Sequence, residues 1–324
     1  MTREKFEKII LNTAFASSIQ SETEIKAMDE LKIFFGQDLT KMINYDQMAP
    51  HHDRDLWKHT AVFMAAIPIL GRSYNISKDE LEFLTVMGFF HDFGKPNTMT
   101  ETKFDKVPLL PDKHPSRRFQ TPTDDGLSIV TLHSFKGHAE ESRKLAAYYL
   151  DLMRYNFHDA NRIKFYIAHH DDYMRIRKVD EESILKMAEI TCGIIQNAQK
   201  TDFPINARTF QLLMLIGKCD AAAQAAYVYE FDAKKNEFPP MDQPSDTLRR
   251  KVETYDEIEA NFPKIFEASI KLITQKRDNA LTIGDSTEAS VYEDQIKIMQ
   301  KIQGEFKPKN NQSLDTVDEG PSFE

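Results

Sequence analysis

Glycine is scarce in this sequence, with 11 in 324 residues. That disfavours Gly-rich nucleotide loops and turn-dense β architectures. Cysteine is scarcer, with only Cys192 and Cys219. Both lie in apolar stretches and read as buried thiols of a reducing compartment, not as a disulfide. The N-terminus lacks the continuous apolar core of a secretory signal, and no run approaches the ~20 apolar residues of a membrane span. A cytoplasmic protein with no membrane partner is therefore expected. Basic charge is not in surplus either, since the formal net charge is −9. A general nucleic-acid coat would need a basic face, although a local basic pocket for a phosphate remains compatible with this balance.

What is present favours helix. Leu, Met, Lys, Glu and Ala are abundant, and a hydrophobic content of 41% allows a sizeable core. An all-α fold is expected, as one large domain or two small ones. Residues 2–35 read as two amphipathic helices within an N-terminal segment, 1–44, that packs on the core. Phe6, Ile9, Ile10 and Phe15 mark the inner face of the first, and Ser21 with Glu24 forms a capping box for the second. The main domain is expected over 45–230. Asp55 is the N-cap candidate for LWKHTAVFMAAIPILGR, with Pro68 near its end. Ser77 opens another helix, whose run LEFLTVMGFF is apolar nearly all round and so buried on every side. It stops at HDFGKP, where Gly94 and Pro96 are stop signals.

Residues 97–136 change character, with prolines, mixed charges and the β-rich piece LSIVTLHSF. They predict a long insertion carrying a β-hairpin. Helices resume at GHAEESRKLAAYYLDLMR and over about 158–170, 180–199 and 206–226. A linker is expected at 231–246, two or three charged helices over 247–304 and a disordered tail at 305–324.

The chemistry concentrates at helix ends. His91 and Asp92 close the buried run, where the helix dipole is negative. A carboxylate there, joined to an apolar stretch, is costly unless a cation compensates it. Taken alone, the pair reads equally as a solvated helix terminus. His59 lies inside an otherwise apolar helix, where alone it reads more readily as a satisfied core histidine; His138 opens the helix after the insertion, His169 and His170 lie in FYIAHHDD, and Asp220 ends FQLLMLIGKCD. One such coincidence is cheap, but several along one chain are not. Imidazoles and carboxylates together suit a divalent metal.

The order His59, His91-Asp92, His138, His169-His170, Asp220 resembles the HD-domain phosphohydrolase superfamily. The pieces HHDRDLWKHT, HDFGKP, KGHAEES and IAHHDD are locally most similar to the HD domain of bacterial tRNA nucleotidyltransferases, and CDAAAQ matches more weakly. Coverage runs over roughly 45–226. The resemblance implies an HD-domain helical bundle with additional C-terminal helices. It implies His59, His91, Asp92 and Asp220 as metal ligands, with His138, His169 and His170 at positions that in some members hold a second metal or contact phosphate. Lys95 matches a lysine that neutralises a phosphate oxygen; its ordinary alternative is a solvated C-terminal lysine. The chain departs from that family in lacking the Gly-Ser and paired-Asp motifs of a nucleotidyltransferase head, so nucleotide addition is not expected. Its insertion is also long and holds the basic cluster KHPSRR, which is either a lid or a solvated excursion. His114 and His133 of that insertion fall outside the matched pieces. His51 and His52 either act on substrate or face solvent.

The expectation is hydrolysis of a phosphomonoester or phosphodiester of a nucleotide or RNA end, a 2′,3′-cyclic phosphate included. The cofactor is a divalent ion from among Mn, Mg, Ni, Co, Fe and Zn. Asp92 would bridge if two ions bind. His138 and His169 are candidates for protonating the leaving oxygen. Lys95, Arg117 and Arg118 are candidates for holding the phosphate. The competing expectations are a non-catalytic module of the same fold that binds a nucleotide or metal for regulation, and a purely structural helical protein whose histidines are coincidental.

Overall fold

The structure is a computed structural model and describes residues 1–13, 15, 21–48, 55–224, 233–237 and 247–306. The chain is mostly helical, 67% helix against 8% strand, so the strands are an excursion from a helical frame. At the N-terminus lie α1 (Arg3–Asn12), α2 (Glu22–Phe35) and the short α3 (Gln37–Thr40). The next pair is α4 (Leu56–Leu70) and α5 (Lys78–Phe90), followed by one turn, α6 (Lys95–Thr98). After the insertion come α7 (His138–Leu152), α8 (Phe157–Ala168), α9 (Glu181–Lys200) and α10 (Ala207–Ala223). The C-terminal helices are α11 (Thr247–Ala260), α12 (Phe262–Thr282) and α13 (Ser286–Glu305).

Side-chain caps set most of these starts. Ser21 with Glu24 and Ser77 with Glu80 form reciprocal capping boxes, and Asp55 accepts from the Lys58 N–H. Asn206 with Thr209 starts α10 in the same way. The first helix is shorter than its apolar pattern: it ends at Asn12, and Phe15 lies beyond it, edge-on to Trp57 at 5.4 Å. The α5 run is buried from Phe83 through Phe90. Its aromatics join Phe6, Phe35, Phe93 and Tyr149 in a cluster of mostly edge-to-face rings, which links α1, α2, α5 and α7. The same core continues through Phe210 of α10 to Phe262 and Phe266 of α12.

The insertion departs from the expected single hairpin. It holds a three-stranded antiparallel sheet of β1 (Thr100–Pro108), β2 (Gln120–Pro122) and β3 (Leu127–Ser134), in the order β1-β3-β2. Val107, Phe119 and Val130 make its small core. β1 is mostly exposed and breaks register between Phe104 and Val107, where Lys106 has φ +58°. That polar, bulged strand has no clean alternation to read. The His133 N–H donates to the Met48 carbonyl, and β3 runs on through Phe135 to His138.

Of the segments expected to be a linker and a tail, 233–237 and Glu305–Phe306 are described. Glu305 accepts from the Ala207 N–H and Phe306 packs on Phe262, so these two residues join the helical core. Cys192 and Cys219 are both free and buried. Among the described residues no helix is long and apolar enough to cross a membrane.

The helices α10 and α11 cross closely at Gly217. A Cβ there would lie 2.3 Å from the Tyr255 ring. Gly217→Ala should therefore cost about 1–3 kcal/mol in urea denaturation. An unchanged midpoint would contradict this crossing.

Candidate metal centre

The site is built where α5 ends. His91 still has helical φ and ψ, and then the Phe93 N–H bonds to the Phe90 carbonyl and the Lys95 N–H to the Asp92 carbonyl. These i→i+3 bonds tighten the chain so that the adjacent side chains of His91 and Asp92 enter the same interior. Gly94 makes the turn compatible with α7. A Cβ on it would lie 2.5 Å from the Ser142 N and 2.7 Å from the His138 carbonyl oxygen. The Gly94 N–H instead donates to the Ser142 hydroxyl at 2.8 Å. That close approach delivers His138 to Asp92.

Two groups of ligand atoms result. In the first, His59 Nε2 lies 3.2 Å from His91 Nε2, 3.0 Å from Asp220 Oδ1 and 3.2 Å from Asp92 Oδ2. His91 Nε2 is 3.3 Å from Asp92 Oδ2 and 3.9 Å from Asp220 Oδ1. In the second, His138 Nε2 lies 3.2 Å from His170 Nε2 and 3.3 Å from Asp92 Oδ1, with His170 Nε2 3.8 Å from that oxygen. Asp92 thus offers one oxygen to each group. His59, His91, Asp92, His170 and Asp220 are all buried.

The backbone fixes what these imidazoles present. The four Nδ1 atoms lie on carbonyl oxygens: His59 on Ala223 at 3.1 Å, His91 on Gly88 at 2.7 Å, His138 on Phe135 at 2.9 Å and His170 on Ile167 at 2.7 Å. A carbonyl requires an N–H there, so each neutral ring turns a bare Nε2 lone pair inward. Two such lone pairs face each other at 3.2 Å in each group, and they repel unless a cation lies between them. Metal–ligand bonds of ~2.0–2.2 Å place neighbouring ligand atoms ~3.0–3.4 Å apart, which is the spacing found for most of these pairs. Each group could therefore hold a divalent ion, with Asp92 offering one oxygen to each.

Electrostatics agree. Both Asp92 oxygens are buried without a well-formed hydrogen bond, and the Lys95 ammonium meets Oδ2 as an ion pair at 2.7 Å. Burial raises the Asp92 pKa, but Lys95 and the histidines outweigh it and hold the carboxyl well below its usual range. Asp220 is lowered against its own burial, chiefly by His59. Burial pulls His59 down, yet Asp220 and Asp92 lift it to about 8. Burial lowers His91, and burial with His170 and Lys95 takes His138 to about 4. Without metal, then, one proton on His59 stands in for the first cation.

The other expected residues sit as follows. Lys95 is buried, pairing with Asp92 and donating to Gln47 Oε1 at 3.0 Å. It is not a solvated terminus. His169 joins neither group; its Nδ1 lies 2.6 Å from Asp172 Oδ2. Arg117 donates to the Gln120 carbonyl at 2.8 Å, and Arg118 stacks on Phe119 and lies 3.9 Å from Asp46. These contacts lie in the insertion and at Asp46, not at the His/Asp centre. His114 caps a turn, His133 lies 3.8 Å from Glu101, and His51 and His52 lie outside the described residues.

Supporting residues passed unnoticed in the sequence reading. Ser142, one helical turn after His138, holds Gly94, and spacing alone could have flagged it. Gln224, four residues after Asp220, donates to Asp220 Oδ2 at 3.0 Å. Asp171 lies 3.8 Å from His138. Gln47 carried no signal, being a lone amide in a polar loop.

Because His59 is protonated at pH 7 and must lose its proton to ligate, metal uptake at that pH should release close to one proton. The buffer dependence of the calorimetric heat reads this number, and zero release would contradict the arrangement. In the chelated chain the raised His59 pKa stabilises the fold fully below pH 6.5. That contribution, about 2 kcal/mol, should disappear as pH rises through 8.

Set against family models, curated proteins and solved structures, the chain matches none, so its function has to be read from the site's own geometry.

Proposed function

We propose that the protein is a metal-dependent phosphohydrolase acting on a phosphomonoester or phosphodiester of a nucleotide or RNA end. The observation that carries this reading is the pair of facing imidazole couples that share Asp92, with the buried Lys95 ammonium beside them. The resemblance of the motif order to HD-domain phosphohydrolases supports it further. Charge supports it too. Asp92, Asp220 and Asp171 bring three negative charges and Lys95 one positive, so two divalent ions leave a positive surplus. An anionic, tetrahedral phosphoryl group answers that surplus.

Divalent ions held by His59, His91, Asp92 and Asp220 and by His138 and His170 would supply Lewis acidity and a water acidified toward neutrality. The chain's own residues do the rest. Asp92 keeps the two halves of the site in register. Lys95 opposes negative charge growing on the phosphoryl oxygens. His138 presents Nε2 to Asp92 and His170, so we place it among the ligands and not as a proton donor. His169 takes the proton-delivery role: Asp172 orients it at Nδ1, and its Nε2 has no hydrogen-bond partner among the described residues.

Hydrolysis of bis-p-nitrophenyl phosphate and of a nucleotide panel, with Mn, Mg, Ni, Co, Fe and Zn in turn, tests the reading. Asp92→Ala should abolish turnover with every ion, and Lys95→Met should lower kcat/KM about a hundredfold. A metal-loaded chain that binds nucleotide and hydrolyses nothing would overturn the enzymatic reading in favour of a regulatory module.

A further inference from the structure

Of the C-terminal helices, α11 reaches the candidate metal centre. The α11 residue Lys251 donates to Gln224 Oε1, while Gln224 Nε2 donates to Asp220 Oδ2. A small cavity of about 20 Å³ opens between Asp220, Gln224, Lys251, Tyr255, Met174 and Ile176. That is room for one water-sized atom.

Lys251 is poorly matched there. An ammonium carries three donors, and among the described residues it meets one acceptor, a neutral amide oxygen. Burial opposes its charge and Arg177 adds like charge nearby; the Asp220 carboxylate is the neighbour that favours it. A metal ion on Asp220 would engage that carboxylate and leave the ammonium short of negative charge. Lys95 pairs directly with the other carboxylate, 2.7 Å from Asp92 Oδ2, whereas Lys251 reaches Asp220 through the Gln224 amide. The first histidine pair is thus flanked by two lysines, one from the turn after α5 and one from α11.

We propose that Lys251 is a second phosphate-binding cation of the site, its ammonium and the cavity beside Asp220 seating one oxygen of the phosphorylated ligand. This rests on the phosphohydrolase reading above. It makes α11 part of the ligand-binding unit. The ammonium gains a charge-assisted acceptor, the cavity is filled by one oxygen, and Gln224 keeps its amide on Asp220.

The test uses the full chain loaded with Mn, orthophosphate as the probe, and metal content measured on every sample. Lys251→Met keeps the aliphatic stem and removes the charge, and Lys251→Gln provides a second neutral variant should the first fail to fold. Both should hold metal as the unmodified chain does and bind orthophosphate at least about tenfold more weakly in calorimetry. Unchanged phosphate affinity with metal retained would overturn the proposal and leave the phosphohydrolase reading standing, the cavity then holding only water. Loss of metal from both variants would also overturn it, because Lys251 would then serve to position Asp220. An unmodified chain that takes up no metal, or takes it up and binds no orthophosphate, would bring down the reading beneath it.

Discussion

The repulsion between imidazole lone pairs is the constraint on which the rest of the centre depends. Backbone carbonyls at Gly88, Phe135, Ile167 and Ala223 each take the Nδ1 side of a ring and so commit the Nε2 side to the interior. An interior holding only such lone pairs and the carboxylates of Asp92 and Asp220 is unfavourable by itself, because like faces like in a low dielectric. A proton on His59 relieves it partly, since the Asp220 and Asp92 carboxylates outweigh burial and lift that ring to about 8. Divalent ions on the two groups would relieve it further. The aromatic cluster and the long buried helices keep these atoms in place, although the protein would relax if they could move apart.

The fold reaches this state by ending helices inside the core. The α5 run is buried, so its terminus is buried too, and the last carbonyls and side chains have to find partners without water. His91 and Asp92 stand at that terminus and His170 just past the end of α8, while His138 stands at the opening of α7. Gly94 and Ser142 hold the α5 terminus against α7, and that contact brings the second histidine couple to the first. Asp220, in the last turn of α10, closes the first group from the opposite side, with Gln224 holding its outer oxygen.

Part of this was legible in the sequence because several helices end in, open on or pass through a His or Asp, in an order that resembles a known motif set. His59, His91, Asp92 and Asp220 could be read that way, and so could His138 and His170, together with the N-caps Asp55 and Ser77. His169 carried the same signal as His170, yet one residue of offset turns its ring to Asp172. Three things could not be read. The third strand of the insertion was hidden because β1 is polar on both faces and bulged at Lys106. Gln47 and Gln224 are amides whose importance comes from what they face and not from their spacing. Lys251 sits in a helix so rich in charge that one more lysine reads as solvent-facing, and only the crossing at Gly217 reveals that it turns inward.

The central claim is that two cations lie on either side of the Asp92 carboxylate. Anomalous diffraction from crystals grown with Mn measures this directly. Two peaks ~3.5–4 Å apart are expected, one among His59, His91 and Asp220 and the other between His138 and His170. Crystals with no peak at Asp92, or with histidine pairs swung apart around water alone, would contradict it.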